Sequence, residues 1–409
     1  MNDPTKKFRF SDFFSEGQYQ TQVETLEVSP KENHISIGIP KETILDENRI
    51  ALVPQSVHTL VGYGHRVVVE TKAGEPSNYT DQDFSEAGAI IAHSAKQVYE
   101  CDLIVKAAPP TVKELEYFHP NQMLISPLQL PITTEDYLRT LKKKQVIAIA
   151  MEYLQAKNGT FPVVRIMSEM AGLSAMLTAA DLLANTKGGR GVLLGGVSGV
   201  PPAKVVILGA GVVGEFATRA ALGLGASVRV FDNDVYKLMR LQSRVGRQLH
   251  TSSLNPVYLA YQLTSADVII GAVHSKTGRT PIIVTEEMVA QMKSGSVIID
   301  VSIDQGGCFE TSRVTTHKSP TFRKHDVIHY CVPNIASKVS RTSSVAVSNI
   351  LIPFLLKIGS ASSFERLLFD HYGIRNGVYT YRGCITNEYL SKRFDLKYTA
   401  LELLLTSGL

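Results

Sequence analysis

A chain of 409 residues with 44% apolar and 20% charged side chains is long enough for two domains, each with its own core. Its net charge of +4 and the lack of a basic run interleaved with aromatics argue against a nucleic-acid partner, and Lys142–Lys144 reads as a solvated helix end. Cys101, Cys308, Cys331 and Cys384 are far apart without C-x-x-C spacing, the pattern of reduced thiols in a cytoplasmic protein, and the start MNDPTKKFRFSDFF has no apolar signal region.

Residues 1–34 are polar and aperiodic apart from Phe8, Phe10, Phe13 and Phe14, and read as an extension that packs on the body or on a neighbouring subunit. A strand over Ile35–Ile39 opens the folded part. Pro54–Tyr63 reads as a helix, Arg66–Glu70 as a strand, and Thr80–Ala87 as a helix capped by Thr80 or Asp81. Leu103–Lys106, Met123–Ile125 and Val146–Ala150 read as further strands with helices between them. That alternation predicts a parallel sheet. Ser168–Leu183 is a long apolar helical run suited to bridging two domains, and residues 187–202 form a Gly/Pro-rich loop.

Residues 204–232, KVVILGAGVVGEFATRAALGLGASVRVFD, carry the strongest signal. The β-branched run Lys204–Leu208 is a buried parallel strand. Gly209, Gly211 and Gly214 follow as G-x-G-x-x-G, giving in turn a tight turn, close approach to a pyrophosphate, and tight helix–strand packing. The helix N-terminus then offers free N–H groups to phosphates. Asp232 ends the next strand, where a carboxylate accepts hydrogen bonds from an adenine-ribose diol and repels a 2′-phosphate, so NAD is expected rather than NADP. Strands over Val268–Ala272 and Ser296–Ile303 continue the series, and a long helix follows Asn334. Its apolar part, Val345–Leu356, is too short to span a bilayer, ends at Lys357, and is expected to be buried.

The fold class expected is α/β with two Rossmann-like domains and parallel sheets, the first domain split by insertion of the second. The expected boundaries are 1–34 for the extension, 35–165 with 341–409 for a substrate domain, and 166–340 for an NAD-binding domain. The cleft between the sheets is where a dinucleotide and a small substrate would meet.

The segments IGIPKETILDENRIALVP, GHRVVVETKAGE, MSEMAG, GGRGVLLGGVSGVPPAKVVILGAGVVG, IDQGGCFETSR and YCVPNIASKVSRTSS resemble the alanine dehydrogenase family, over about residues 35–409. The NAD-binding subunit of proton-translocating transhydrogenase is a related family. The resemblance implies reversible oxidative deamination of L-alanine, or a similar small L-amino acid, to pyruvate and ammonia. It also implies a cytoplasmic homo-oligomer, from dimer to hexamer, acting on a small molecule with no membrane partner. By the same resemblance Arg49 clamps the substrate carboxylate, as a planar guanidinium suits. Asp304 stands beside the nicotinamide to carry protons or order water, or is a turn aspartate capping the glycines after it. Asn334 lies near nicotinamide and substrate and also suits a helix cap. Ser168 lies on the diphosphate or nicotinamide side. Lys237 reaches the adenosine or is solvated.

Two positions depart from the family pattern. The family's second lysine in the segment after the third strand is Ala108 here, with Lys106 at the first lysine. Its histidine is Gln129, which cannot titrate. Lys106 is expected to compensate by reaching along the strand face. The departures leave open a nucleotide-binding sensor or regulatory subunit, a transhydrogenase-like component, and a dehydrogenase for a larger amino acid of the saccharopine type. Asp300 reads as structural. His317, His325 and His329, spaced H-x7-H-x3-H, read as loop and strand residues, so no metal is expected.

Overall fold

The computed structural model describes residues 34–130, 132–275 and 278–406, so the reading of the N-terminal extension falls outside the described residues except for His34. Two sheets organise the rest. The first holds β1 (Ser36–Ile39), β2 (Arg66–Glu70), β3 (Ile90–Ala92), β4 (Leu103–Val105), β5 (Met123–Ser126) and β6 (Ile147–Ala150). The second holds β7 (Lys204–Leu208), β8 (Ser227–Phe231), β9 (His250–Ser252), β10 (Val268–Gly271), β11 (Val297–Asp300), β12 (Thr321–Lys324) and β13 (Val327–Tyr330). The chain then returns to the first sheet with β14 (Val378–Tyr381) and β15 (Cys384–Ile385).

The first sheet runs β15-β14-β6-β5-β4-β1-β2-β3 and the second β12-β13-β11-β10-β7-β8-β9. β1–β6 pair in parallel, as do β7–β11 with β13; β12, β14 and β15 are antiparallel additions at the margins. Both sheets reverse strand order beside the strand that opens them, between β4 and β1 and between β10 and β7. The carboxyl ends at such a reversal leave a crevice for ligands.

Burial explains why the strands read as unbroken apolar runs. In β7, Val205 and Ile207 join one core and Val206 and Leu208 another, so both faces are covered. In β4, Leu103 and Val105 face one core and Ile104 the other. The helix Asp81–Glu86 starts as expected at Thr80, in a capping box with Asp83.

Three sequence expectations change. The bridging helix begins earlier, at Pro162, and runs to Leu182, because Pro162 occupies its first turn and removes an N–H that would have no partner there. The strand expected to reach Ile303 stops at Asp300, whose side chain accepts the Ser302 N–H (3.0 Å) and folds the backbone into a 3-10 turn, Val301–Gln305. The helix after Asn334 is longer than its apolar part suggested. Ile335–Ser360, which includes the helix Ser340–Ser360, and Pro162–Leu182 are each long and apolar enough to cross a membrane by length and composition alone. Each buries one side inside the protein, and Ser343, Ser344 and Ser348 of the later helix are buried and hydrogen-bonded.

The bridging helix lies against the helix Val212–Gly223 at backbone distance. A Cβ on Gly172 would sit 2.5 Å from the Val213 carbonyl oxygen and 2.8 Å from the Ala217 nitrogen. Neither atom can move without shifting a helix. Gly172→Val is therefore expected to lower stability by about 1–3 kcal/mol, measured as an earlier midpoint in denaturant unfolding; an unchanged midpoint would contradict the close crossing.

Candidate functional site

A cavity of about 770 Å³ opens where the carboxyl ends of the two sheets face each other. Arg49, Ala107, Pro127, Gln129 and Glu152 come to it from loops after strands of the first sheet. Gly211, Ala272, His274, Asp304 and Asn334 come from the second, and Ser168 and Met167 from the bridging helix.

The glycine turn is shaped by backbone contacts. Gly209 has φ +105° and leaves no room for a side chain, since a Cβ would lie 2.3 Å from the Ala272 carbonyl oxygen. A Cβ on Gly214 would lie 1.9 Å from the Gly209 carbonyl oxygen. Gly211 differs: it caps the twelve-residue helix Val212–Gly223, lines the cavity, and has open space where a side chain would stand. Gly209 and Gly214 close the turn, and Gly211 leaves a helix N-terminus bare. Asp232, at the end of β8, accepts the Ala210 N–H (2.7 Å) and the Asp234 N–H (2.8 Å), one on each oxygen. It braces the turn and keeps a further lone pair on each oxygen for a ligand. Lys237, half-buried in the helix Val235–Val245, and Ser168 both line the cavity.

Arg49 sits in the loop after β1, and serine hydroxyls fix that loop. Ser337 accepts the Asn48 N–H (3.0 Å), Ser344 the Ile50 N–H (2.9 Å) and Ser348 the Val53 N–H (3.1 Å). These bonds satisfy backbone groups that no strand partner reaches. The guanidinium makes a bidentate pair with Glu47 through Nε (2.7 Å) and Nη2 (2.5 Å). One edge of the fork is thus held by Glu47, and the Nη1/Nη2 edge meets only the weak thioether acceptor Met167 Sδ (3.2 Å) and, at 3.4 Å, the Ala107 carbonyl. That edge is free to take a carboxylate.

On the opposite wall Asp304 accepts the Asn334 N–H (3.2 Å), while the Asn334 amide donates to Glu47 (2.9 Å). Asn334 has φ +54° and starts the 3-10 turn Ile335–Val339. Protein packed around Asp304 pushes its carboxyl up to about 6, with the Asn334 hydrogen bond and the Arg49 charge acting the other way. The side chain opens into the cleft. Asp300 is a buried brace, accepting Ser312 Oγ (2.6 Å) and the Cys308 N–H (3.0 Å).

Lys106 corrects the sequence reading. β4 ends at Val105, and the lysine is buried and does not line the cavity. Its Nζ lies 2.8 Å from Glu114 and 3.0 Å from Glu42. Burial works against the ammonium, but two carboxylates outweigh it and hold its pKa above the ordinary value. Its ammonium is engaged by these two carboxylates rather than presented to the cavity. His325 pairs with Glu286 (2.8 Å), and His329 is buried with Nε2 on Thr311 (2.8 Å). No group of three or more His, Cys, Asp or Glu side chains could hold a metal ion among the described residues.

Sequence reasoning passed over Glu47, Glu152, His274 and Gln305. A glutamate two residues before an arginine looks like an ordinary surface pair, and its burial shows only in the fold. Glu152 had a readable signal: a charged residue just past a fully buried strand, where ligands meet such sheets.

Two doubly wound sheets, a glycine turn at a bare helix end, and an arginine facing a carboxylate across one cleft define the class of two-domain, dinucleotide-binding dehydrogenases. The comparisons agree. Residues 38–171 match the family model for the alanine dehydrogenase/PNT N-terminal domain, and residues 175–388 match that for the C-terminal domain. Alanine dehydrogenase 2 of Staphylococcus aureus (strain USA300) is 39% identical over 369 residues, which is 90% of this chain and 99% of the relative. A solved L-alanine dehydrogenase superposes with a TM-score of 0.83 at 37% identity, covering 88% of this chain and 99% of that one. A transhydrogenase from Sinorhizobium meliloti shares the fold, with a TM-score of 0.74 at 24% identity, covering 86% and 99%. The chain belongs to the alanine dehydrogenase/PNT family, and it is an amino-acid dehydrogenase of the alanine dehydrogenase type.

Removing the Lys106 charge leaves two carboxylates buried together. Lys106→Met is expected to cost about 3–5 kcal/mol of stability, seen in denaturant unfolding. The lower end applies if Glu42, already pushed up by burial, takes a proton. Asp304→Asn is expected to act in the opposite sense. The folded carboxyl sits near 6 against an ordinary 3.8, so ionising it weakens the native state, not at all below the ordinary value and fully above the raised one. The variant should melt higher than the parent at about pH 8 and alike near pH 3.5, compared by thermal scans.

Proposed function

We propose that the chain catalyses reversible, NAD-dependent oxidative deamination of L-alanine, or a similar small L-amino acid, to pyruvate and ammonia. One observation carries this reading: the free edge of Arg49 and the carboxylate of Asp304, from opposite sheets, line the same cavity as Gly211. In this reading residues 35–165 with 341–409 form the substrate domain and 166–340 the NAD-binding domain.

The residues suit a dinucleotide. The bare N-terminus at Gly211 takes the pyrophosphate, Asp232 the adenine ribose through its remaining lone pairs, and Lys237 and Ser168 flank the path. When bound, NAD supplies the acceptor for hydride from the substrate α-carbon. The chain's own residues do the rest. Arg49 holds the substrate carboxylate and so fixes the α-carbon. Glu47 holds Arg49 in that orientation from its far edge. Asn334 ties Glu47 to Asp304 and sets the two walls in register. Asp304, with a carboxyl that exchanges protons near neutrality, orders the water that adds to the imine carbon and takes its proton.

The reading extends to a cytoplasmic homo-oligomer, dimer to hexamer. Four unpaired thiols support the compartment, and exposed Leu173 and Leu177 on the bridging helix support a subunit contact.

Absorbance at 340 nm tests the reaction. NAD with L-alanine, and NADH with pyruvate and ammonia, are expected to give turnover, and NAD binding without turnover on any L-amino acid would sink the reading. Arg49→Lys keeps the charge but loses the fork, and is expected to raise KM for the amino acid on the order of 10–100-fold, leaving NAD affinity unchanged.

A further inference from the structure

The cavity has a carboxylate that this reading leaves without a task. Glu152 follows β6 in the 3-10 turn Met151–Tyr153 and lines the cavity. Its Oε1 accepts the N–H groups of Leu128 (2.8 Å) and Gln129 (3.2 Å). Its Oε2 is buried and has no hydrogen-bond partner, and no ion pair reaches it among the described residues. A carboxylate oxygen withdrawn from water without a donor is unfavourable, and a proton or a ligand's N–H would relieve it.

Its neighbour matters equally. Gln129 lines the same end of the cavity with φ +48°, at the position where the family resemblance leads one to expect a histidine. Thr133 secures that corner through Oγ1 to the Leu128 carbonyl (2.7 Å) and its N–H to the Gln129 carbonyl (3.2 Å). The turn bearing Gln129 and the carboxylate of Glu152 therefore form one fixed unit. Within it the amide cannot titrate and the carboxylate can.

We propose that Glu152 is a catalytic residue that takes the proton from the substrate's amino nitrogen, in the role a histidine at position 129 would fill. This deepens the dehydrogenase reading and rests on it. In oxidation one substrate N–H bond breaks, its electron pair stays on nitrogen, and the proton forms an O–H bond at Oε2. The ammonium becomes a neutral amine, and the carboxylate a carboxylic acid. Only the neutral amine has the lone pair that forms the C=N bond as hydride leaves the α-carbon. In reductive amination the same proton returns to nitrogen.

The surroundings raise the proton affinity of this carboxylate, which suits a proton acceptor. Burial pushes the Glu152 carboxyl above its ordinary value, against the hydrogen bonds from Leu128 and Gln129. The titratable groups that feel its charge are Tyr153 on its own turn, Tyr137 on the helix Glu135–Lys143, and Tyr379 on β14. Burial pushes all three upward, so they stay neutral while Glu152 titrates. Asp304, on the other sheet, is the second carboxylate of the cavity with a raised pKa. Two such carboxylates on opposite walls divide the work, Glu152 at nitrogen and Asp304 at water.

The test is kcat/KM for L-alanine oxidation against pH for wild type, Glu152→Gln and Glu152→Asp, with NADH affinity by fluorescence titration. The wild-type acid limb is expected to fall with a slope of about two, because two carboxylates must be ionised. Glu152→Gln is expected to lose about 100-fold or more in kcat/KM, to keep its NADH affinity, and to show a limb of slope about one. Glu152→Asp is expected to restore the steep limb and part of the rate. Wild-type kcat/KM and limb in Glu152→Gln would overturn the proposal and leave the dehydrogenase reading standing. Equal losses of NADH affinity and turnover in both variants would also overturn it, by showing a structural role. Wild type that binds NADH but oxidises no L-amino acid overturns the dehydrogenase reading and this proposal with it. If Glu152→Gln does not fold, Glu152→Asp decides: a carboxylate drawn back by one methylene is expected to cost about tenfold or more, and an unchanged rate and limb overturns the proposal.

Discussion

The buried carboxylate of Glu47 lies between the Arg49 guanidinium and the Asn334 amide, and the geometry of the cleft depends on it. These groups come from opposite sheets and from distant parts of the chain. An unpaired arginine would be unfavourable where Arg49 sits, and an unpaired glutamate equally so at Glu47. Together they form a neutral, directed unit that presents one fork edge to the cavity and passes a hydrogen bond to the far wall. The serine-bearing helix Ser340–Ser360 completes the arrangement by supplying hydroxyl acceptors to the loop that holds both residues. A helix that looks merely apolar in sequence therefore positions the principal cation of the site.

The two sheets contribute different chemistry through similar topology. Each reverses strand order beside its opening strand, and each reversal opens toward the same cavity. The second sheet offers chiefly backbone there: a bare helix end, close-packed glycines, and an aspartate bracing the turn. The first sheet offers side chains, Arg49 and Glu152 among them. This difference explains how Gln129 can stand on one wall where the family resemblance leads one to expect a histidine, while the other wall keeps its form. A backbone site is set by steric limits on a few glycines, whereas a side-chain site can be refilled by another residue on a neighbouring loop.

Much of this was legible beforehand. The run Lys204–Leu208 is a strand with the bounds read from sequence, and Gly209 and Gly214 leave no room for a side chain, as their spacing required, because steric exclusion is a local property. Arg49, Ser168, Lys237, Asp304 and Asn334 all line the cavity. Lys106 was misread because the direction of a long side chain is set by its partners, and Glu42 and Glu114 cannot be recognised as partners until the fold brings them together. The strand before Asp304 was read too long because its apolar run continues past the point where Asp300 captures the Ser302 N–H. Hydrophobic periodicity does not register a side chain that bonds to its own backbone. Glu47 and Glu152 were passed over for a related reason: a glutamate in sequence is solvent-facing by default, and only the count of its hydrogen bonds shows otherwise.

The return of the chain to its first sheet bears on how the protein is made. β6, with all four residues buried, takes its second neighbour from β14, and Ala148 bonds to Thr380, 232 positions later. A ribosome delivers β1–β6 long before it delivers that partner. Throughout the intervening synthesis the edge of β6 carries unpaired N–H and C=O groups on an apolar strand, a template for another nascent chain. The second sheet has no such debt, since β7–β13 are contiguous and can close as soon as they emerge. The β6 edge is then the part of the first sheet with the longest exposure to mispairing during synthesis.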